Sequence, residues 1–256
     1  ALTVVRDVTD WREAQEILTH RARLQQLMVQ ISAGFIDTPI GRLDEVIEEA
    51  LGTVGSFVDA DRSYVFLFEG DPNEDRGETT GSNTHEWCTE GIPSQKADLQ
   101  NIPCESIPWW MDRMSRREPL VIPSVDELPD AAAAEKKIVD AQNIRSLVVL
   151  PMTRENRLIG FLGFDAVETQ VEWDDETVAV LHVLEDAIAS ALHRKTMEEQ
   201  LREREQRLRA ITENVSEGIY RSTPDEGLVY ANQTFAEMFG YEDAEAVLDI
   251  DPSTLY

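Results

Sequence analysis

The densest apolar pattern in the chain falls at residues 145–168, RSLVVLPMTRENRLIGFLGFDAVE. Two apolar runs, 147–152 and 158–164, flank the polar turn Thr153, Arg154, Glu155, Asn156, which predicts an antiparallel hairpin. Alternation assigns Leu158, Leu162 and Phe164 to one face of the second strand, and Ile159 and Phe161 to the other. A strand apolar on both faces must be covered on both. The hairpin is therefore expected in the middle of an antiparallel sheet between helical layers, an α/β (α+β) architecture with an α/β/α core. Gly160 and Gly163 leave gaps in this strand where a neighbouring helix or a ligand can approach the backbone, and packing is the favoured use.

Helical periodicity frames that hairpin. After a short strand at 2–5, Thr9 or Asp10 is placed to cap a helix over 11–35, with Glu13 at the capping-box position relative to Asp10. Its residues Ala14, Ile17, Leu24, Met28, Ile31 and Phe35 alternate steps of three and four, with Arg21 interrupting, and this predicts a partner-facing stripe, one side of a dimer. Pro39 suits the first turn of a second helix, in which Leu43, Val46, Ile47, Ala50, Leu51, Val54 and Phe57 repeat at helical spacing. Strands are expected at 62–69, 84–88 and 120–122, with a polar loop at 70–81. Short helices are expected where Trp109, Trp110 and Met111 stand and over 131–142.

Beyond the hairpin, Asp174 as N-cap sets Trp173 against Val178, and Leu181, Leu184, Ile188 and Leu192 face the core. The helix has no reason to stop there, because KTMEEQLREREQRLRAITENV contains neither Gly nor Pro. Met197, Leu201, Leu208, Ile211 and Val215 lie on one seam with Arg204 as its charged interruption. At 1.5 Å per residue, 174–214 forms one helix of about 60 Å, which calls for a partner helix and predicts a parallel two-stranded coiled coil. Short strands at 219–221 and 228–230 then precede a helix that starts at Asn232 and holds Phe235, Met238 and Phe239. The stretch 216–256 is too short to close a domain by itself, so the chain reads as a segment of a longer polypeptide.

Charge narrows the partners. The net charge is −27, and of 23 basic residues only Lys96, Lys136, Lys137 and Lys195 are lysine. Such a field repels phosphate backbones and anionic lipid, which argues against nucleic-acid or membrane-surface binding. Dense acid with scarce lysine matches a halophilic protein working in a salty cytoplasm, where the Debye length at 1 M is about 3 Å. No apolar run reaches the roughly 18 residues that cross a bilayer and no signal sequence opens the chain, so a cytoplasmic protein is expected. Two cysteines, Cys88 and Cys104, give no disulfide framework.

No phosphate loop, metalloprotease helix, nucleophile elbow or kinase signature is present, and Asp174 with Asp175 reads as helix-start charge, so no catalytic residue is assigned. His85, Cys88 and Cys104 supply three soft ligands where structural zinc takes four. A strand also sets His85 and Cys88 on opposite faces, so no metal is assigned. The thiols serve as small buried hydrophobes or as redox sensors. Trp87, Trp109 and Trp110 form an aromatic set able to stack on a flat small molecule between the sheet and segment 92–117, with core packing as the alternative use. The candidate pocket residues are thus His85, Trp87, Cys88, Cys104, Trp109, Trp110 and Phe164.

Residues of about 22–193 resemble a GAF domain in the stretches NTHEWCTEGI (83–92), IPWWMDRM (107–114), LVIPSVDELP (120–129), SLVVLPM (146–152) and LIGFLGFDAV (158–167). Asp7, Val8 and Thr9 resemble the exit of a PAS domain. Glu217, Gly218, Ile219, Tyr220, Tyr230, Asn232, Phe235, Phe239 and Gly240 resemble the opening of another. The resemblance implies a PAS end at 1–10, a connecting helix at 11–38, a GAF domain at 39–193 with which helix 22–38 packs, a signalling helix at 194–215 and the start of a second PAS domain at 216–256. It further implies a non-catalytic sensory module of a dimeric sensor histidine kinase acting in a phosphorelay. The alternative is an allosteric domain of a cyclic-dinucleotide enzyme or of a transcription activator. The resemblance names no cofactor. Cyclic-nucleotide-binding members carry an Asn-Lys, Phe, Asp-Glu signature, against which Phe164, Asp165 and Trp173 depart and Asp175, Glu176 match. Bilin-bearing members attach the chromophore to a Cys beside a His, and no Cys-His pair occurs.

The acidic surface yields a direct expectation. The melting temperature should fall on transfer from molar to millimolar salt, measured by differential scanning calorimetry; an unchanged value would remove the halophilic reading.

Overall fold

The computed structural model describes residues 9–36, 38–213, 215–223 and 227–248. The predicted strand at 2–5 and the PAS-like Asp7 and Val8 lie outside the described residues, whereas Thr9 and Asp10 already stand within the first helix. The chain forms two compact units that divide between His193 and Arg194.

In the first unit the strands are β1 (Arg62–Glu69), β2 (Thr80–Cys88), β3 (Ile102–Pro103), β4 (Leu120–Ile122), β5 (Ser146–Arg154) and β6 (Arg157–Ala166). They form one sheet in the order β3-β2-β1-β6-β5-β4, with antiparallel pairing throughout. The β5–β6 hairpin is interior, and its two faces feed two separate cores. Val148, Leu150, Leu162 and Phe164 point to a layer made by α1 (Thr9–Ile36), α2 (Leu43–Phe57) and α5 (Asp175–Glu213). Leu147, Val149 and Phe161 point to the opposite layer, built from α3 (Pro108–Ser115), α4 (Ala133–Ala141) and the connecting loops.

Leu158 departs from the alternation expected of it. Thr153 pairs with Leu158 and Met152 with Gly160, so Ile159 is an extra residue on its strand. This bulge shifts the phase, so that Leu158 joins Phe161 in one core and Ile159 packs on the other.

The partner-facing role expected of the N-terminal stripe is corrected from Leu24 onward. Leu24, Leu27, Ile31 and Phe35 are buried and Met28 packs beside them in the same core as α2 and α5. The stripe from Leu24 onward therefore covers its own domain's sheet layer, because period-3.6 apolar spacing fits an internal face as well as a partner helix. Val29 and Ile36 remain exposed.

Helix α5 starts as its sequence dictates. Asp174 Oδ1 accepts from the Thr177 N–H at 2.7 Å, and buried Trp173 shares a core with Val178. Val180, Leu181, Leu184, Ile188, Ala189 and Leu192 bury its first half.

In the second unit, α5 ends at Glu213, followed by β7 (Tyr220–Thr223), β8 (Gly227–Ala231), α6 (Gln233–Met238) and α7 (Glu245–Leu248). Met197, Leu201, Leu208 and Ile211 are exposed on the helix, and Val215 lies beyond its end rather than on the expected seam. Asn232 accounts for the stop. Its Nδ2 donates to the Thr212 and Glu217 carbonyls at 2.7 and 3.0 Å, and its Oδ1 accepts from the Ile219 and Phe235 N–H groups. One side chain thereby turns the backbone out of α5 and caps α6.

Both glycines of β6 are packing positions. A Cβ on Gly160 would lie 2.0 Å from the Phe66 carbonyl oxygen of β1, and one on Gly163 would lie 2.3 Å from the Tyr64 ring. The approaching element is the adjacent strand, not a helix. Gly160→Ala must push β1 and β6 apart and should destabilise the first unit by about 3 kcal/mol in urea unfolding. A loss below about 0.5 kcal/mol would mean that the strand yields there.

Candidate ligand-binding site

The site begins with cross-strand geometry. Arg62 on β1 faces Asp165 on β6, and Tyr64 faces Gly163. Arg62 Nε and Nη2 donate to Asp165 Oδ2 at 3.1 and 2.8 Å, and the Tyr64 hydroxyl donates to Asp165 Oδ1 at 3.0 Å. The missing side chain at Gly163 is what lets the Tyr64 ring lie across β6 to reach that carboxylate. Arg62 and Asp165 are 2 % and 1 % exposed, so this is a fully buried ion pair. Burial opposes the Arg62 charge most strongly, but Asp165 together with Tyr64 and Glu86 outweighs it and the guanidinium pKa is raised. Burial, then Asp165, raises Tyr64 well above the ordinary phenol range, which keeps its hydroxyl a donor.

Above this pair lies a cavity of about 160 Å³. Its walls are apolar: Tyr64, Phe66, Trp110 and Phe161 supply rings, with Phe66 and Phe161 stacked at 4.7 Å and Trp110 6.3 Å from Phe161. Leu99, Ile102 and Ile107 close one side, and Ile138, Val139 and Ile144 the other. The polar lining is Arg62, Glu86 and Gln142. Glu86 is held by Asn83, Ser94 and the N–H groups of Gln95 and Lys96, which fixes the loop after β2 against the cavity.

The roof consists of α3 and α4. No side chain of its own caps α3, and Glu135 of α4 serves instead, its Oε1 accepting from the Trp109 and Trp110 N–H groups at 2.8 and 3.2 Å. Glu135 is buried and places its negative charge at the positive end of α3, joining the two roof helices.

Of the seven residues expected at the pocket, only Trp110 lines this cavity. Cys104 and Trp109 belong to the same apolar cluster without lining it, and Arg113 stacks on the Trp109 ring at 4.6 Å. Cys88 ends β2 two residues from Glu86. His85, Trp87 and Phe164 lie on the other face of the sheet. Trp87 rests on Gly52 and Gly55 of α2, His85 Nε2 meets Asp44 at 3.2 Å, and Phe164 is buried in the α1–α2–α5 core. Strand periodicity explains the division, since His85 and Trp87 sit at odd positions of β2 and Glu86 at an even one. Burial lowers the His85 pKa despite the pull of Asp44. Burial also pushes both thiols up to about 11, against the thiolate character that redox sensing needs. Among the described residues no group of three His, Cys, Asp or Glu side chains is arranged to hold a metal ion.

Sequence reasoning missed Arg62, Tyr64, Phe66, Glu86, Phe161 and the α4 residues. The available signal was a charge at each of two otherwise apolar strands, Arg62 opening RSYVFLF and Asp165 closing LIGFLGFD.

An antiparallel sheet with a helical layer on one face and a roofed cavity on the other is the architecture of a class of sensory signalling domains. The GAF domain model matches residues 42–192, and a PAS domain model matches residues 206–255. The chain belongs to the GAF domain family. It is 30 % identical over 197 residues to the methanogenesis regulatory histidine kinase FilI of Methanothrix harundinacea, covering 75 % of this chain and 21 % of that protein. It is 24 % identical over 216 residues to the circadian input-output histidine kinase CikA of Thermosynechococcus vestitus, covering 77 % of this chain and 27 % of that protein. The chain thus spans only 21 % and 27 % of the length of these relatives. Among solved structures, the phycocyanobilin-bound GAF domain of a cyanobacterial phytochrome superposes with a TM-score of 0.54 at 18 % identity, covering 68 % of this chain and 96 % of that one. The chromophore-binding domain of a bacteriophytochrome from R. palustris gives a TM-score of 0.54 at 14 % identity, covering 73 % and 64 %. These likenesses show the fold.

The buried pair carries a stability expectation. Arg62→Met alone strands the Asp165 carboxylate and should cost about 3–5 kcal/mol in urea unfolding. Adding Asp165→Asn, which can still accept from Tyr64, should recover most of that loss. A double variant as unstable as the sum of both single variants would show the pair to be uncoupled.

Proposed function

We propose that this chain is the sensing and relay segment of a dimeric sensor histidine kinase, in which the state of the GAF cavity biases helix α5 and, through it, the PAS domain that follows. The observation that carries the reading is α5 itself. It is one uninterrupted helix over Asp175–Glu213, its first half buried in the GAF core and its second half carrying exposed Met197, Leu201, Leu208 and Ile211 in heptad-like spacing. The kinase relatives support the same reading.

The path from cavity to helix is short. Strand β1 sends Tyr64 and Phe66 to the cavity side and Val65 to the α5 side, and β6 does the same with Phe161 and Leu162. In close-packed surroundings, a shift of these strands is felt on both faces. On this reading a second copy of the chain covers the exposed stripe as a parallel coiled coil over 194–213. Arg204 then faces its counterpart and keeps two helix arrangements close in energy. Replacing Arg204 by Leu locks one arrangement. The division proposed is a GAF domain at 39–193, a signalling helix from 194, and the opening of a PAS domain from 216. Among the described residues no helix is long and apolar enough to cross a membrane. A small molecule in the cavity and a salt-rich cytoplasm complete the proposal.

Sedimentation velocity tests the dimer. The chain should sediment as a dimer, and Leu201→Glu with Leu208→Glu should yield a monomer whose GAF unit melts unchanged, since neither residue is in that core. A monomeric parent chain at micromolar concentration would overturn the proposal.

A further inference from the structure

The polar end of the GAF cavity is built for one kind of ligand. Arg62 lines the cavity yet is 2 % exposed, and its Nε and Nη2 are both taken by Asp165 Oδ2. Its Nη1 has no hydrogen-bond partner among the described residues. A guanidinium nitrogen not engaged with Asp165 can donate to an acceptor placed in the cavity. Charge limits that acceptor. Glu86 lines the same end and Asp165 stands behind Arg62, so an anionic ligand meets two carboxylates against a single guanidinium. A cationic one would find no free carboxylate, since Glu86 is already taken by Asn83, Ser94 and two backbone N–H groups, and would leave its charge among apolar walls. The remaining walls are flat rings and branched aliphatic chains. The Phe66–Phe161 stack and Trp110 form an aromatic surface, with Ile107 and Ile138 closing the sides. At about 160 Å³ the cavity matches the size at which an apolar protein cavity accepts a benzene ring.

We infer that the GAF cavity binds an uncharged aromatic molecule of one or two fused rings, bearing a carbonyl-type acceptor that receives a hydrogen bond from Arg62 Nη1. This rests on the reading of the cavity as the sensory site and adds its ligand class. The ring lies against Phe161 and Trp110, and the carbonyl points to β1. An open-chain tetrapyrrole is far too large for the space.

Titration calorimetry on the whole chain, with four bicyclic probes of matched size, provides the test: coumarin, naphthalene, 2-naphthoate and 1-methylquinolinium. Coumarin should bind at least about tenfold tighter than each of the others, the factor expected for one hydrogen bond from a charged donor. In the Arg62→Met, Asp165→Asn double variant coumarin should fall to the affinity of naphthalene, with naphthalene itself unchanged. Ile107→Trp, which fills the cavity and leaves the ion pair in place, should abolish coumarin binding. If naphthalene or either charged probe matches coumarin in the parent chain, the ligand class is wrong while the cavity remains a binding site. If Ile107→Trp leaves coumarin binding intact, the molecule binds elsewhere and the inference falls. If no probe binds, the class and the cavity as a ligand site fail together, an outcome separable from the state of the dimer read by sedimentation.

Discussion

A guanidinium and a carboxylate held in the dry middle of a sheet constrain everything around them. Taking Arg62 and Asp165 out of water costs several kcal/mol per ion, and that cost is offset only while both hydrogen bonds and the Tyr64 contact are kept. The pair lies between facing residues of β1 and β6, so it sets the register of the two central strands. A slip of one residue would part the charges and exchange the two apolar faces at once. Hydrophobic burial supplies most of the drive to fold, and the ion pair selects which burial is allowed. The glycine opposite Tyr64 belongs to the same arrangement, because a side chain there would close the route from the phenol to the carboxylate.

Much of this fold was legible in the chain. The β5–β6 hairpin announced its interior position through apolar residues at both odd and even positions, and α5 announced its length through the lack of any breaker after His193. Other features depend on pairings that a single sequence does not display. The bulge at Ile159 reversed the face of Leu158, and nothing in LIGFLGF marks which residue will be the extra one. The stripe of α1 was misassigned because an apolar helix face carries no record of whether its cover comes from the same chain or another.

The cavity was the least legible part, for a topological reason. Its lining comes from β1, β2, β3, α3, α4, β6 and the loops between them, spread from Arg62 to Phe161, and no local window contains more than a few of those residues. Tryptophan content drew attention to Trp87 and Trp109, yet strand phase puts Trp87 behind the sheet, and Trp109 packs outside the cavity. The two strand-end charges were the better guide. A charge inside an apolar strand has to be paired, and finding the partner locates the place where several elements converge.

The roof over the cavity hangs on a different kind of bond from the floor. Below, the rings stand on strands locked by ladder hydrogen bonds on both sides; above, two short helices meet through buried apolar side chains and the carboxylate of Glu135. Because Trp110, Met111 and Met114 of α3 are buried in one cluster with Val149 and Phe161 of the sheet, ceiling and floor belong to a single packed body, and a change in the volume between them bears on both.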